Sequence, residues 1–541
     1  MAVVLVVGVV LSACGTSAED ADDDPEAVLT EDSPDVGSSD PATRPPSTML
    51  TAYGCPVRTL LPQDSRDTCS TRVVRQLFSG LTEIDAETGH PTLLVASSMD
   101  TDDSRDWTVT LHDGWTFQNG ESVTARSFVD AWNLAAGPDN ELRNRDLFNL
   151  IAGYEDVASG DATRLRGLEV VDDLTMRIEL TEPFAPLPAK LTDVAFMPLP
   201  SVAFEDLTAF ANAPVGNGRY ELESFDPERE ARLRRYEDWA GPDPAANDAV
   251  TFVVYSGDNA IQLAYEDVLT GTLDVLDNVP PERLDESRDA FGDRVVETTT
   301  SSFTFLGLPV DRAPFDDVNL RRALSLAIDR QRIVDEVFGG LLQPATSVIP
   351  PVLDAHRQTA CGDCVHDPRL ARELLEIAGG WEGPMTVHLN AGSGHERWVR
   401  AVTDQWREVL GIEEFIFDTR GMTPYLELLE SGDADGPFRL GWALSYPSPE
   451  YVLSELFTTS GSGNFFGLTD ASVDEVIRQA AAASPGEAIE RFQDAEDVVL
   501  AHMPLIPLWY GVSTSVHTER VEEVHVDAST ILRVERLQLV D

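Results

Sequence analysis

Lysine is almost absent from this 541-residue sequence: Lys190 is the only one, and the other 38 basic residues are arginines. Acidic residues, by contrast, number 94 and give the chain a formal net charge of −55. A surface of this sign repels nucleic acids and anionic lipid headgroups, so the sequence predicts no nucleic-acid partner. A nucleotide-binding P-loop is excluded as well, because it needs a lysine after a glycine and Lys190 follows Ala189.

Motifs of common catalytic sites are also missing. The sequence contains no Gly-x-Ser-x-Gly nucleophile elbow and no His-Glu-x-x-His zinc motif, and its nine histidines are scattered. We therefore predict no metal, no cofactor and no enzymatic activity. Two distant carboxylates that cleave a glycoside leave no sequence motif, so a secreted carboxylate-dependent hydrolase remains the enzyme alternative.

The apolar run at the start of the chain, Ala2 to Leu11, is too short to span a bilayer as a helix and fits the hydrophobic region of a signal peptide. It ends in Leu11-Ser12-Ala13-Cys14, which resembles the lipobox of bacterial lipoproteins. This pattern predicts a lipoprotein signal over residues 1–14 and a lipid anchor on Cys14 at the extracytoplasmic face of the membrane. The alternative is an ordinary secretory signal with a chance cysteine, since no Lys or Arg precedes the run.

The segment that follows, residues 15–47, is acidic and interspersed with prolines. Such a segment cannot bury enough apolar surface to offset the entropy of ordering it, and its charge keeps it extended. It therefore predicts a disordered tether. The rest of the chain exceeds one typical hydrophobic core, so two or more domains are expected.

Cysteines are few, five in all. Apart from Cys14 they form two close pairs, Cys55 with Cys69 and Cys361 with Cys364. Outside the cytoplasm such pairs tend to oxidise, so we predict two small structural disulfides. The Cys-Gly-Asp-Cys spacing also occurs in redox and zinc sites, but a zinc site needs about four ligands and no second Cys/His pair is close in sequence.

Hydrophobic periodicity predicts a mixture of helices and strands. Alternating patterns predict strands over Leu81–Asp85, Trp107–Leu111 and Leu174–Leu180. Helical patterns cover Thr71–Phe78, Ser127–Ala136, Leu320–Phe338, Arg369–Ala378, Glu396–Leu410 and Ala488–Ala501. The sequence therefore predicts an α/β protein.

Five stretches follow one another in an order typical of one family: Gln76–Thr82, Trp107–Ala125, Pro214–Tyr220, Pro314–Arg330 and Gly441–Glu450. The most specific is Trp107–Ala125, in which a strand, an Asp-Gly turn, a second aromatic strand and a Thr-Ala helix start succeed one another. Together they resemble the family 5 extracytoplasmic solute-binding proteins of peptide and nickel ABC importers. The resemblance runs from about Thr48 to the C-terminus.

The resemblance implies a two-lobed periplasmic-binding-protein type II fold, of the large peptide-binding kind, that closes over its ligand by hinge motion. Lobe I is expected to be discontinuous, with an extra subdomain, and lobe II to follow it. The expected bounds are 48–75, 200–297 and 509–541 for lobe I, 76–199 for the subdomain and 298–508 for lobe II. The hinge would lie near Thr298–Ser302 and Pro507–Gly511.

The resemblance also implies the ligand-binding residues, which are Arg66, Asp67 and Thr68 in the near lobe and Arg439, Trp442, Ala443, Ser445 and Tyr446 in the far lobe. Arg439 would donate to a ligand carboxylate, or else form a surface salt bridge. Trp442 would wall a pocket, or else belong to the core. Relatives that bind oligopeptides carry Asp at the position of Ser445, where it pairs with the ligand's α-amino group, so binding of a free N-terminus is in doubt here.

The expected function is that of a substrate-binding lipoprotein, a monomer that captures peptides or a related small solute and delivers it to an ABC permease with its ATPase subunits. The ligand would be an N-blocked peptide, a non-peptide such as a sugar or metal chelate, or a peptide whose amine finds another carboxylate. A peptide-sensing receptor on the same fold is the alternative outside transport.

Overall fold

The computed structural model describes residues 49–86, 88–257, 259–392, 394–484, 486–522, 524–527 and 531–540. The predicted signal, Cys14 and the tether lie outside the described residues. Within the described part, no helix has the length and apolar composition that a membrane-spanning segment requires.

The described chain alternates between helices and strands in a mixed α/β order. The α-helices are α1 (Thr68–Leu77), α2 (Ala125–Ala136), α3 (Tyr154–Ala158), α4 (Leu187–Lys190), α5 (Leu207–Asn212), α6 (Ala260–Thr270), α7 (Leu284–Phe291), α8 (Val318–Leu326), α9 (Arg330–Phe338), α10 (Pro368–Ile377), α11 (His395–Leu410), α12 (Met422–Glu430), α13 (Pro449–Phe457), α14 (Ala471–Ala481) and α15 (Ala488–His502). The strands are β1 (Met49–Gly54), β2 (Thr82–Ile84), β3 (Pro91–Leu93), β4 (Ala96–Asp100), β5 (Asp106–Leu111), β6 (Leu168–Asp172), β7 (Thr175–Glu179), β8 (Tyr220–Asp226), β9 (Glu230–Arg235), β10 (Ala249–Val254), β11 (Val275–Leu276), β12 (Val295–Gly307), β13 (Gln343–Pro344), β14 (Met385–Asn390), β15 (Phe415–Arg420), β16 (Phe438–Trp442), β17 (Leu505–His517), β18 (Val521–Glu522) and β19 (Gln538–Leu539).

Aspartate occupies the N-cap of several helices, so part of the protein's acidic composition serves to cap helices. The carboxylate at the N-cap accepts a backbone N–H of the first turn, a group that has no partner inside the helix. Helices α1, α5, α8, α9, α10 and α14 begin this way, after Asp67, Asp206, Asp317, Asp329, Asp367 and Asp470.

One continuous sheet runs through both halves of the molecule in the order β15-β14-β16-β12-β17-β11-β1-β10-β9-β8, with β13 also paired to β17. Strands β14, β15 and β16 are parallel to one another, as are β10, β1 and β11. Two long antiparallel strands, β12 and β17, lie between these groups. Each has 13 residues, which is about 40 Å of extended chain, so this pair connects the two lobes.

The pairing of β12 with β17 is interrupted halfway along. Thr299 faces Val512 and Phe303 faces Tyr510, so the three residues Thr300–Ser302 bulge opposite Gly511. A Cβ on residue 511 would collide with the hydroxyls of Thr300 and Ser302, which explains the glycine. The bulge therefore lies at the crossing between the lobes.

A separate four-stranded antiparallel sheet, in the order β4-β5-β7-β6, is built from residues between Ala96 and Glu179. Helix α2 packs against it and buries Trp132, whose Nε1 donates to the Phe196 carbonyl at 2.9 Å. Loops from this part of the chain, 144–150 and 182–194, approach the other lobe.

The predicted elements agree with the structure to within a few residues, except at two places. The second aromatic strand expected after the Asp113-Gly114 turn is wrong, because Thr116 makes only an isolated bridge, with Ser122. The single helix predicted over Leu320–Phe338 is wrong, because α8 ends at Leu326 and α9 begins at Arg330. The Asp329 carboxylate accepts the backbone N–H of Arg332 and starts a new helix inside an unbroken apolar pattern.

Both predicted cysteine pairs stand at disulfide-bonding distance in the structure. The Cα atoms are 5.3 Å apart in Cys55–Cys69 and in Cys361–Cys364. The first pair ties the start of α1 to the loop after β1, and the second closes a tight turn before α10.

Candidate functional site

A cavity of about 1210 Å³ lies between the two lobes. One wall comes from the N-terminal end of α1 and the loops 144–150 and 182–194, and the facing wall from the chain between Trp442 and Ala481. The bulge Thr300–Ser302 contributes residues to the same lining. Strands β12 and β17 run from one lobe into the other, so the site between the lobes can change its width without unfolding either lobe.

The near wall carries charges that are already paired. The guanidinium of Arg66 donates to both carboxylate oxygens of Asp146, at 2.7 and 3.1 Å. Asp67 is the N-cap of α1 and accepts the Ser70 backbone N–H at 2.8 Å. Thr68, the first residue of α1, is exposed beside them. All three predicted residues of this wall, Arg66, Asp67 and Thr68, line the cavity.

The far wall is aromatic and rich in hydroxyls. Trp442 ends β16 and stacks on Tyr451 with ring centroids 6.3 Å apart, and its buried Nε1 has no hydrogen-bond partner among the described residues. The Ser445 hydroxyl donates to the Tyr451 oxygen at 3.0 Å. Tyr446 donates to the Glu450 carboxylate at 2.5 Å, and burial raises the pKa of both groups. The predicted residues Trp442, Ala443, Ser445 and Tyr446 all line the cavity.

Arg439, the remaining predicted residue, lies behind this wall and is not among the residues that line the cavity. It is buried on β16, where its Nη1 donates to the Asn390 side chain at 3.3 Å and its Nε has no partner among the described residues. Burial lowers the pKa of Arg439 to about 10. Burial, together with the Arg439 charge, lowers the pKa of neighbouring His395 to about 3. Arg439 is therefore not at the surface, and the surface salt bridge considered for it is not formed among the described residues.

Several lining residues were not predicted, and Lys190 is the most informative. It is the last residue of α4, only 8% exposed, and its ammonium lies 5.3 Å from the centre of the Tyr446 ring. Asp193 lies one turn further on and caps the Ala195 backbone N–H. The signal for Lys190 was present in the sequence, because it is the only lysine in the chain.

The chemistry of the lining is that of a binding site. Charged groups of both signs, hydroxyls and aromatic faces surround a space large enough for a small peptide. Among the described residues there is no group of three or more His, Cys, Asp or Glu side chains placed to hold a metal ion. No histidine is among the described residues that line the cavity, so the hydroxyls there have no histidine beside them to act as a base.

Comparison with known proteins places the chain among binding proteins. The profile of the bacterial extracellular solute-binding proteins, family 5 Middle, matches residues 90–464. The oligopeptide-binding protein OppA of Bacillus subtilis (strain 168) is 26% identical over 488 residues, which are 86% of this chain and 88% of OppA. The glutathione-binding protein GsiB of Escherichia coli (strain K12) is 25% identical over 484 residues, covering 87% of this chain and 91% of GsiB.

Solved structures have the same fold. The unliganded open form of MppA, a periplasmic murein tripeptide-binding protein, superposes with a TM-score of 0.81 at 21% identity, covering 92% of this chain and 98% of MppA. Haemophilus influenzae OppA in complex with the peptide RPPGFSPFR gives a TM-score of 0.67 at 21% identity, with 92% and 99% covered. The sequence expectation of a two-lobed type II periplasmic-binding fold is confirmed. The chain belongs to the bacterial extracellular solute-binding proteins of family 5.

Proposed function

We propose that this protein is the substrate-binding component of an ABC importer and captures peptides or closely related solutes in the cavity between its lobes. The observation that carries the proposal is the cavity of about 1210 Å³, which lies between the two lobes and is lined by aromatic, hydroxyl and charged groups. The relatives OppA and GsiB are named for binding oligopeptides and glutathione, which supports a peptide-like ligand. Delivery would be to a permease with its ATPase subunits, from a monomeric receptor.

Capture would proceed by closure of the lobes about the β12–β17 pair. The bulge Thr300–Ser302 leaves backbone groups outside the regular ladder at the crossing, and Gly511 opposite it has no side chain to resist a local change. These positions coincide with the hinge expected at Thr298–Ser302 and Pro507–Gly511. The lobe bounds proposed from the sequence, with the division at about residues 297 and 508, are consistent with this crossing.

Within the cavity, the ligand would lie between Arg66, Asp67 and Thr68 on one side and Trp442 to Tyr446 on the other. Arg66 and Asp67 are held by partners of their own and would shape the wall. Trp442 offers an aromatic face and a free indole N–H, which could donate to a peptide carbonyl. Arg439 would act through β16, which it anchors from behind the lining.

The experiment for this function combines native mass spectrometry with thermal unfolding. Freshly purified protein should carry a peptide-sized mass, and a pool of random tri- to pentapeptides should raise its unfolding temperature, because a ligand that binds only the folded state stabilises it. A pool of mono- to trisaccharides serves as the control. Stabilisation by the saccharides and none by the peptides would contradict the proposal.

The membrane anchor is a second part of the proposal. The lipobox-like Leu11-Ser12-Ala13-Cys14 suggests that Cys14 becomes the lipidated N-terminus, and a tether over residues 15–47 would hold the lobes away from the membrane. We expect Cys14→Ala to release the protein into the medium or leave it unprocessed, with loss of labelling by a radioactive fatty acid. Ser12→Ala keeps a small residue before the cysteine and is the control. A Cys14→Ala protein that stays membrane-bound and labelled would contradict the anchor.

A further inference from the structure

Lys190 differs from the other cations of the cavity. Each lining arginine has a carboxylate within reach: Asp146 at 2.7 Å for Arg66, Asp527 at 3.5 Å for Arg75 and Glu475 at 2.7 Å for Arg478. The Lys190 ammonium has no ion pair and no hydrogen-bond acceptor among the described residues, although it faces the cavity. Among the described residues, Lys190 is therefore the one cation lining the cavity that forms no ion pair.

Most of the Lys190 side chain is also buried. The Lys190 side chain is more than nine-tenths buried, and its polar end lies over the face of Tyr446. Burial lowers the pKa of Lys190, while Glu450 and Asp193 oppose that shift from a distance. Placing an ammonium with three donors in such surroundings is costly unless an acceptor arrives.

The nearest carboxylates are already engaged. Glu450 accepts the Tyr446 hydroxyl at 2.5 Å, and Asp193 accepts the Ala195 backbone N–H at 2.9 Å. Burial raises the pKa of both carboxyl groups, which weakens them as counter-charges. Neither comes within ion-pair distance of Lys190.

A second donor lies beside the same aromatic ring. Tyr451 packs against Tyr446 with ring centroids 5.0 Å apart and accepts the Ser445 hydroxyl, so the Tyr451 O–H itself has no acceptor among the described residues. Burial raises the pKa of Tyr451, which keeps the phenol protonated and able to donate. An ammonium and a phenol, both facing the cavity, are donors that suit a carboxylate.

We propose that Lys190, assisted by Tyr451, binds a carboxylate of the ligand. This inference rests on the proposed function, because it names a chemical group of the solute held in the same cavity. The carboxylate would be either the C-terminus of a peptide or an acidic side chain.

The test uses three pools of random tri- to pentapeptides: one with free carboxyl ends, one with amidated ends, and one amidated but with a glutamate in each peptide. Aspartate and glutamate are left out of the first two pools. The measurement is the pool concentration that gives half-maximal thermal stabilisation. Wild-type protein should bind the free-acid pool roughly ten- to hundredfold more tightly than the amidated pool, the range expected for hydrogen bonds to a charged group. Recovery of binding with the third pool would assign the contact to a side-chain carboxylate and also supports the proposal.

Three variants separate recognition from a packing role. Lys190→Met, of similar length and no charge, should bind the acid and amidated pools equally, whereas Lys190→Arg should keep the preference for the acid. Tyr451→Phe should reduce the preference severalfold. Equal binding of all three pools by wild type, or an unchanged preference for the carboxylate-bearing pools in Lys190→Met, would overturn the inference and leave the proposed function intact. Failure of every pool to bind wild type would overturn both.

Discussion

Two of the buried cations in the described part of the chain, Arg330 and Lys190, have opposite surroundings. Arg330, 4% exposed at the start of α9, is surrounded by acceptors. It donates to the carbonyls of Pro507 at 2.7 Å and Cys364 at 2.8 Å, and to the Ser325 hydroxyl at 2.9 Å. Lys190, similarly buried, faces a cavity with none of its donors used within the described protein.

The difference shows how a buried charge can indicate its role. Burial lowers the pKa of both groups, that of Arg330 to about 9. Hydrogen bonds inside the folded chain replace those that Arg330 loses with water, and they join β17 to the turn of the second disulfide. Lys190 gains such hydrogen bonds only from a molecule that enters the cavity. Arg330 therefore has a structural role, whereas Lys190 is available to bind the ligand.

The largest expected effect is on folding, at Arg330. Arg330→Met should lower the free energy of unfolding by about 3 kcal/mol or more, because several buried carbonyls lose their donor at once. Urea unfolding followed by circular dichroism measures the change. Lys190→Met is the matched variant and should change stability by less than about 1 kcal/mol. Equal losses in the two variants would remove the distinction drawn between the two cations.

The two disulfides extend the comparison, since Cys69 lines the cavity and Cys364 contacts Arg330. Cys55 and Cys69 are 14 positions apart and the other pair 3 apart. In the chain-entropy model, loops of roughly 15 and 4 residues are worth about 3 and about 2 kcal/mol. We therefore expect the Cys55→Ser/Cys69→Ser protein to be the less stable of the two double variants in urea.

The control for both bridges is a thiol count on the mature protein. Denatured without reductant, it should show no reactive thiol from these four cysteines, whereas reduction should release all four. Four free thiols before reduction would contradict both disulfides. A larger loss of stability from the Cys361–Cys364 variant would show that strain or local packing near Arg330 outweighs loop entropy.

The sequence was most informative where local rules agree with one another. Strand β5, with Trp107 and Val109 buried, follows a clean alternation, and α11 follows a clean helical period. The break between α8 and α9 could not be predicted from periodicity, because the apolar pattern continues across it and only the Asp329 cap marks the new start. Pairing across the long strands β12 and β17, about 200 residues apart, was likewise beyond any local signal.

The candidate site was only partly accessible from the sequence. The resemblance pointed to Trp442, Ser445 and Tyr446, which line the cavity. It could not show that Arg439, on the same strand as Trp442, is not part of that lining. Lys190 ends the short helix α4, outside every matched segment. Its rarity was visible, yet only the folded chain shows that it is buried and forms no ion pair with the described residues.

The smallest expected effect concerns Ser445, on the wall that faces Arg66 and Asp67. Ser445 is neutral, and its hydroxyl is bonded to Tyr451 at 3.0 Å, so it offers no counter-charge to an ammonium group. Asp67 is occupied as the cap of α1. Wild-type protein should therefore bind a free-amine peptide less tightly than the same peptide N-acetylated. Ser445→Asp should raise the affinity for the free amine about tenfold, which corresponds to about 1.4 kcal/mol.

Isothermal calorimetry with one peptide in both N-terminal forms decides this prediction, and Ser445→Asn is the matched control because it has the shape of aspartate without its charge. The asparagine variant should leave the preference for the acetylated form unchanged. If wild type prefers the free amine and Ser445→Asp alters nothing, another cavity carboxylate, with Asp193 and Glu455 as the candidates, holds the amine. In that case Lys190 would have a negatively charged neighbour committed to the ligand's cation.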